Sequence, residues 1–226
     1  MFRYASLIGL SKKHNVELFL PKWQYSKYFE QPFPVGQIAG NKVKEPAFKY
    51  CDFSHLDWKE NIDLSGYLQS EKYWVGYKSD VKKALTFKPE FISQIRNRPN
   101  NKNIFNKSVI CLHIRRTDYI GNLNYESIPI TYYILALQDY FPDLEKYNVL
   151  IFSDDIPYCK RHFDCLDNVF FSEGNSDIED ICLMSQCDHF VLSNSTFAWW
   201  GAYLGEKFHS KIIRPAHYFA GRLLKE

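Results

Sequence analysis

From residue 108 to 214 short apolar runs alternate with helical patterns at a nearly constant spacing, and this rhythm restricts the chain more than any other feature. Strands are expected at 108–114 (SVICLHI), 148–153 (NVLIFS), 168–171, 189–193 (HFVLS) and 211–214 (KIIR). Helices are expected between them at 131–141, 156–163, 177–186 and 196–205. Strands this uniformly apolar belong in a parallel sheet buried on both faces, and strand–helix alternation builds that sheet as a doubly wound α/β layer. Ligands of such sheets bind beyond the carboxyl ends of the strands, so polar residues that come directly after each strand are the chemically informative ones.

The first hundred residues read differently. Phe2, Leu7 and Leu10 recur at near-helical spacing, Asn15 supplies a stop, and Val16-Glu17-Leu18-Phe19-Leu20 before Pro21 reads as a short strand. In an alternating architecture a helix in this position is expected to follow a strand of its own. Residues 21–63 carry Pro21, Pro32, Pro34, Pro46, Gly36 and Gly40 and predict irregular backbone. A loop of that length is either a binding segment or a packed covering segment. Residues 70–87 place Tyr73, Tyr77, Val81, Ala84 and Leu85 on one face of a helix that Ser70 would cap. The polar stretch Arg96 to Asn103 has no apolar period, so a domain boundary is expected there, with lobes at 1–100 and 101–226.

Charge excludes one broad class: 28 Lys+Arg against 26 Asp+Glu leave a net charge of +2 without a basic block, which does not suit a nucleic-acid binder. The six cysteines form no zinc-ligand spacing, and a chain of 226 residues has core enough without disulfides, so reduced thiols in a reducing compartment are expected. No run approaches the roughly 20 apolar residues that a membrane helix requires.

Three strand ends are unusually polar. The first is His113-Ile114-Arg115-Arg116-Thr117-Asp118-Tyr119. Adjacent arginines on an extended chain face opposite ways, so one points into the crevice while the other packs or pairs. A guanidinium there suits a pyrophosphate, because its fork matches phosphate oxygens and never loses its charge; an ion pair closing a loop is the plainer reading. The second is Ser153-Asp154-Asp155, whose carboxylates could hold a metal, accept from a base or ribose, or cap the helix that begins near Ile156. The third is Ser193-Asn194-Ser195-Thr196, a hydroxyl-rich turn entering a helix, which is either an anion site or a simple N-cap. Two anion-suited ends on one sheet favour a nucleoside diphosphate. Gly-x-Ser-x-Gly, Walker and Gly-x-Gly-x-x-Gly motifs are absent.

Taken in order, these strand ends resemble the α-1,2-fucosyltransferase family, glycosyltransferase family 11. The resemblance rests on residues 113–119, Ser153-Asp154-Asp155, Asp180-Ile181-Cys182-Leu183-Met184-Ser185, Ser193 to Ala202 (SNSTFAWWGA) and Gly66-Tyr67-Leu68-Gln69-Ser70. It implies a GT-B-like α/β fold of two Rossmann-type lobes, with GDP-fucose as donor. It further implies an inverting transfer of L-fucose to the 2-hydroxyl of a terminal galactose, with no cofactor and no required metal. By that resemblance Arg115 stabilises the leaving GDP and Arg116 and Asp118 shape its loop. Asp154 or Asp155 accepts from guanine or ribose, Asn194, Ser195 and Thr196 form the phosphate turn, and His113 lines the nucleotide pocket. No carboxylate or histidine identifies itself as the general base. The expected partners are GDP-fucose and a galactoside, in glycan or lipopolysaccharide synthesis, by a cytoplasmic enzyme at most peripheral to the inner membrane. Members that the chain resembles place a strand and a glycine-rich turn before the Met1-Phe2-Arg3-Tyr4-Ala5 helix, so an N-terminally shortened first lobe is expected. Alternatives are a transferase using another GDP-sugar and a non-catalytic GDP- or glycan-binding protein.

Overall fold

The computed structural model describes residues 1–47 and 49–217, and the chain divides into two compact units, Met1–Lys88 and Pro89–Glu226. In the first unit, helix α1 (Phe2–His14) buries Tyr4, Ala5, Ile8, Gly9 and Leu10. It ends at Asn15, whose φ of 52° is left-handed, a conformation that asparagine tolerates because its amide bonds locally. Lys12, Lys13 and His14 in its last turn complement the negative end of the helix dipole. Strands β1 (Asn41–Lys44) and β2 (Ile62–Ser65) pair in parallel, Asn41 opposite Ile62, as a two-stranded sheet inside the region expected to be irregular. They are too short and too polar to show a period in sequence. The strand expected at 16–20 reduces to one parallel bridge, Leu20 to Val35.

The helix expected over 70–87 is broken. Ser70 does cap, accepting from the Lys72 N–H at 3.4 Å, but the chain continues as two 3₁₀ turns, Glu71–Tyr73 and Val75–Tyr77, before α2 (Lys78–Ala84) begins. Trp74 (φ −136°, ψ 19°) and Tyr77 (φ −131°, ψ 30°) leave helical geometry, and Trp74 is thereby fully buried beside α1. Burying an indole outweighs the propensity that one continuous helix would satisfy.

The second unit begins with α3 (Pro89–Arg96), so the division falls after Lys88 rather than after residue 100. The reason is packing. Phe91 and Ile95 are buried, and α3 lies against α6 (Asp177–Met184), which belongs to the later sheet. The polar stretch Arg96 to Asn103 is equally engaged: Arg98 Nη1 donates to Asn175 at 2.6 Å, and its other amine pairs with Glu179.

The sheet consists of β3 (Ser108–Ile114), β4 (Tyr147–Ser153), β5 (Val169–Phe171), β6 (His189–Val191) and β7 (Ile212–Ile213), all parallel, in the order β5-β4-β3-β6-β7. Helices α4 (Ile130–Tyr140), α5 (Ile156–Phe163), α6 and α7 (Thr196–Gly205) connect them, within two residues of the expected limits. Ile110, Leu112, Ile114, Val149 and Ile151 pack with Tyr133, Phe141 and Phe163 in one core cluster. Each such side chain contributes about 1.5–3 kcal/mol through burial. Among the described residues no helix is long and apolar enough to cross a membrane.

Candidate active site

The chain leaves β3 toward β4 and β5, then returns to place β6 on the other side of β3. Connections that depart in opposite directions open a crevice at the carboxyl ends of β3 and β6, the position where doubly wound sheets take their ligands. Three of the loops at this edge carry the polar strand-end residues.

At the end of β3 the two arginines part, as alternation requires. Arg116 turns onto α5: its guanidinium lies 3.3 Å from the Tyr158 ring centroid and its Nε is 3.2 Å from Asp155 Oδ2. Arg115 keeps to the edge, donating from Nε to Asp118 at 2.8 Å and lying 3.4 Å from Asp154. The pairing with Asp118 raises the Arg115 pKa further, and holds the Asp118 carboxyl below its usual range. Both pairs use Nε, and the terminal amines of Arg115 carry no hydrogen bond among the described residues. They remain a two-pronged cationic donor of the kind that grips phosphate oxygens.

Neither carboxylate after β4 is idle. Asp154 accepts the backbone N–H groups of Arg116 (2.9 Å) and Thr117 (3.0 Å) together with the Thr117 hydroxyl, so it clamps the loop that carries Arg115. Asp155 caps α5, accepting from the Tyr158 N–H at 3.1 Å, and this bond is the main cause that lowers its pKa. Both carboxylates expected to receive a base or ribose are therefore occupied by donors of the protein itself.

Across the crevice, His113 Nδ1 lies 2.8 Å from the Ser193 hydroxyl, joining β3 to the turn after β6. Burial, reinforced by the Arg115 charge, pushes the His113 pKa down to about 4, so the ring is neutral at pH 7. Asn194 is buried and donates to the Glu126 carbonyl at 2.9 Å. Ser195 is the N-cap of α7, accepting from the Phe197 N–H at 3.2 Å, while Thr196 is exposed in the first turn. The turn thus presents a helix N-terminus toward the same edge as Arg115.

Several contributors are given no role by the sequence reading. Tyr119 and Tyr132 donate to the carbonyls of Asn194 (3.2 Å) and Leu192 (3.1 Å), tying the loop after β3 to the turn after β6. Asp180, within a stretch noted for its resemblance, accepts from Ser172 at 2.6 Å, and burial raises its pKa to about 6. The signal for its helix is readable, since Ser176 and Glu179 form a capping box. In the first unit the segment 66–70 is also specialised. Gly66 has φ 152° and Leu68 has φ 51°, and the buried Glu45 carboxylate accepts from the Leu68 N–H at 2.8 Å and from the Tyr73 hydroxyl at 3.0 Å. A side chain at position 66 would lie 2.4 Å from Glu45 Cβ, so only glycine fits that turn.

A parallel α/β sheet that reverses direction at a switch point defines a protein of the doubly wound class, and at that point this one carries an arginine fork and a capped helix N-terminus. Its similarities are specific. Residues 13–226 match the model of Glycosyl transferase family 11, and the chain belongs to that family. The chain is 36% identical over 211 residues to the O-antigen biosynthesis glycosyltransferase WbnK of Escherichia coli, covering 84% of this chain and 68% of that one. It is 30% identical over 182 residues to an alpha-1,2-colitosyltransferase of the same organism, covering 71% and 57%. A galactoside alpha-(1,2)-fucosyltransferase 2 of Bos taurus is 23% identical, with 90% and 65% covered. The chain thus spans less than two thirds of the length of two of these three relatives. Among solved structures, the alpha-1,6-fucosyltransferase NodZ soaked with GDP-fucose superposes with a TM-score of 0.55 at 14% identity, covering 90% of this chain and 87% of that one. That likeness concerns the fold, which is α/β and GT-B-like as expected.

Proposed function

We propose that the chain serves an inverting transfer of L-fucose from GDP-fucose to the 2-hydroxyl of a terminal galactose. The observation that carries this reading is the free fork of Arg115 at the β3–β6 switch point, in a chain of glycosyl transferase family 11. In the reaction the oxygen of the acceptor 2-hydroxyl forms a bond to the anomeric carbon and gives up its proton to a base or to water, as the bond from that carbon to the β-phosphate oxygen breaks and its electron pair leaves with GDP. Negative charge grows on the diphosphate, and a fixed cation aimed there binds the transition state more strongly than the ground state.

The other residues divide into contact and support. The N–H groups that open α7 and the hydroxyls of Ser195 and Thr196 supply further donors to phosphate. Asn194 and the neutral His113 hold that turn in place, while Asp118 and Asp154 orient Arg115. Arg116 and Asp155 fix the start of α5. Because the arginine already meets the leaving charge, we read the transfer as needing no metal and no cofactor. We place the chain in the cytoplasm, at most peripheral to the inner membrane, building an O-antigen-type glycan as the name of WbnK suggests.

The test is a mass-spectrometric transfer assay with GDP-fucose and a lactose-type acceptor, with and without chelator. Arg115→Ala is expected to lower kcat by roughly 10²–10³, the scale of losing one transition-state donor, with a smaller effect on GDP affinity. Wild-type turnover in that variant would remove Arg115 from the chemistry. A second reading, transfer of colitose in place of fucose, is supported by the similarity to an alpha-1,2-colitosyltransferase, and competition between GDP-fucose and GDP-colitose separates the two. GDP binding without any transfer would instead identify a binding protein.

A further inference from the structure

The segment Gly66-Tyr67-Leu68-Gln69-Ser70 takes no part in the phosphate chemistry of the second unit, yet the first unit commits buried polar groups to holding it. Strands β1 and β2 run parallel, so their carboxyl ends lie at one edge, the edge at which parallel α/β layers present their ligand loops. Glu45 follows β1 directly, and Gly66 follows β2. Gly66 (φ 152°) and Leu68 (φ 51°) flank Tyr67 with positive φ on both sides. For leucine that conformation is strained, because its Cβ crowds the following carbonyl oxygen.

Such strain persists only where the surrounding structure over-determines it, and it gathers at functional sites. Leu68 is held at every group it has. Its N–H donates to the buried Glu45 carboxylate at 2.8 Å, its carbonyl accepts from the buried Ser6 hydroxyl at 2.9 Å, and its side chain is fully buried. Glu45 is fixed in turn by the Tyr73 hydroxyl at 3.0 Å, and that hydroxyl accepts from the Cys51 N–H at 3.0 Å. What this framework carries outward is Tyr67, 65% exposed, and Gln69, also exposed, whose amide makes no hydrogen bond among the described residues. Burying Leu68 accounts for the anchor, but not for an aromatic ring kept in water on a backbone this rigid. A ring held so is a contact surface whose ordering cost is met before any ligand arrives.

On the reading of the chain as a transferase to galactose, we propose that Tyr67 and Gln69 bind the acceptor sugar. The Tyr67 ring receives the apolar face of the galactopyranose, and the Gln69 amide bonds to hydroxyls at the edge of the sugar ring. In galactose the axial 4-hydroxyl leaves the C–H groups of carbons 3, 4 and 5 together on the opposite face, a patch that packs on an aromatic ring. Stacking on that face leaves the equatorial 2-hydroxyl uncovered for transfer. A primary amide beside the ring supplies a donor and an acceptor at once, which matches neighbouring hydroxyls.

The test uses the 226-residue chain with lactose as the probe. Wild type, Tyr67→Ala, Tyr67→Trp and Gln69→Ala are compared in lactose binding by saturation-transfer NMR, steady-state transfer from GDP-fucose, GDP affinity and Tm. Tyr67→Ala is expected to raise the acceptor KM about tenfold or more and to remove the saturation-transfer signal of the galactose C–H groups, the scale of one lost aromatic contact. Gln69→Ala is expected to raise that KM about three- to tenfold, the scale of one lost hydrogen bond. Tyr67→Trp should restore both readouts, while the KM for GDP-fucose, GDP affinity and Tm stay at wild-type values throughout. An unchanged acceptor KM and NMR signal in Tyr67→Ala, with the wild type active, would overturn the proposal and leave the transferase reading standing. So would a loss of GDP affinity or Tm equal to the loss of acceptor binding, which would make the turn a structural element alone. Lactose bound through Tyr67 by a wild type that transfers no fucose would uphold the contact and overturn the transferase reading. A wild type that neither binds nor fucosylates lactose would overturn both.

Discussion

Asp154→Ala isolates the device that aims Arg115. The substitution takes one carboxylate away from two backbone N–H donors at 2.9 and 3.0 Å, from the Thr117 hydroxyl and from an ion pair at 3.4 Å. Hydrogen bonds to a charged acceptor contribute about 1.5–3 kcal/mol when sheltered, but this loop is open to water that can replace the acceptor, so about 1 kcal/mol for each backbone bond is the fitting magnitude. The Arg115 side chain is a third exposed, and its share is no more than about 0.5 kcal/mol. The total is about 2–3 kcal/mol, which at about 2–4 °C per kcal/mol for a chain of this size lowers Tm by roughly 5–10 °C. Arg115 keeps Asp118 as a partner, so its charge stays while its direction is lost. Loss of direction should appear as a fall in kcat of about tenfold or more with GDP affinity changed less, since orientation acts in the transition state. Circular dichroism, calorimetric GDP titration and the transfer assay read the three quantities. A variant that melts and turns over like the wild type would refute the view that Asp154 holds this loop.

Two further outcomes test other parts of the molecule. Gly9→Ala improves helix propensity by about 1 kcal/mol, yet the new Cβ would lie 2.4 Å from Trp74 Cβ and 2.5 Å from the Tyr73 carbonyl. Overpacking against backbone costs about 1–3 kcal/mol, so a net loss of stability is expected in denaturant titration, and a gain would contradict the contact. Asp180 titrates near 6 in the fold and near 4 when unfolded, so the unfolded chain loses its proton first and stability falls as pH rises from about 4 to 6. Asp180→Asn should therefore raise Tm at pH 7.5 and leave it unchanged at pH 4, whereas equal shifts at both pH values would exclude the buried carboxylate as the cause.

The sheet of the second unit was legible because each of its elements buries a face that the local sequence already displays. The apolar runs of β3 and β4 and the helical spacing between them need no distant residue to declare themselves. The strand-end residues were legible for the same reason, since polar groups next to fully buried strands stand out. What each of them does was decided only by tertiary contact. Alternation said that Arg115 and Arg116 must part, but only the placement of Tyr158 and Asp155 on α5 shows which of the two is held away from the crevice. Adjacent aspartates could be read as ligands until the Arg116 and Thr117 N–H groups, 37 or 38 positions away, arrived to occupy one of them. The first unit was least legible. Its strands β1 and β2 are short and polar, its helix at 71–84 breaks so that Trp74 can be buried, and Leu68 takes a left-handed turn because a buried Glu45 holds its N–H. Periodicity reports which faces a segment would bury; which neighbour buries them, and which hydrogen bonds outweigh local preference, depends on chain segments that meet only in the folded protein.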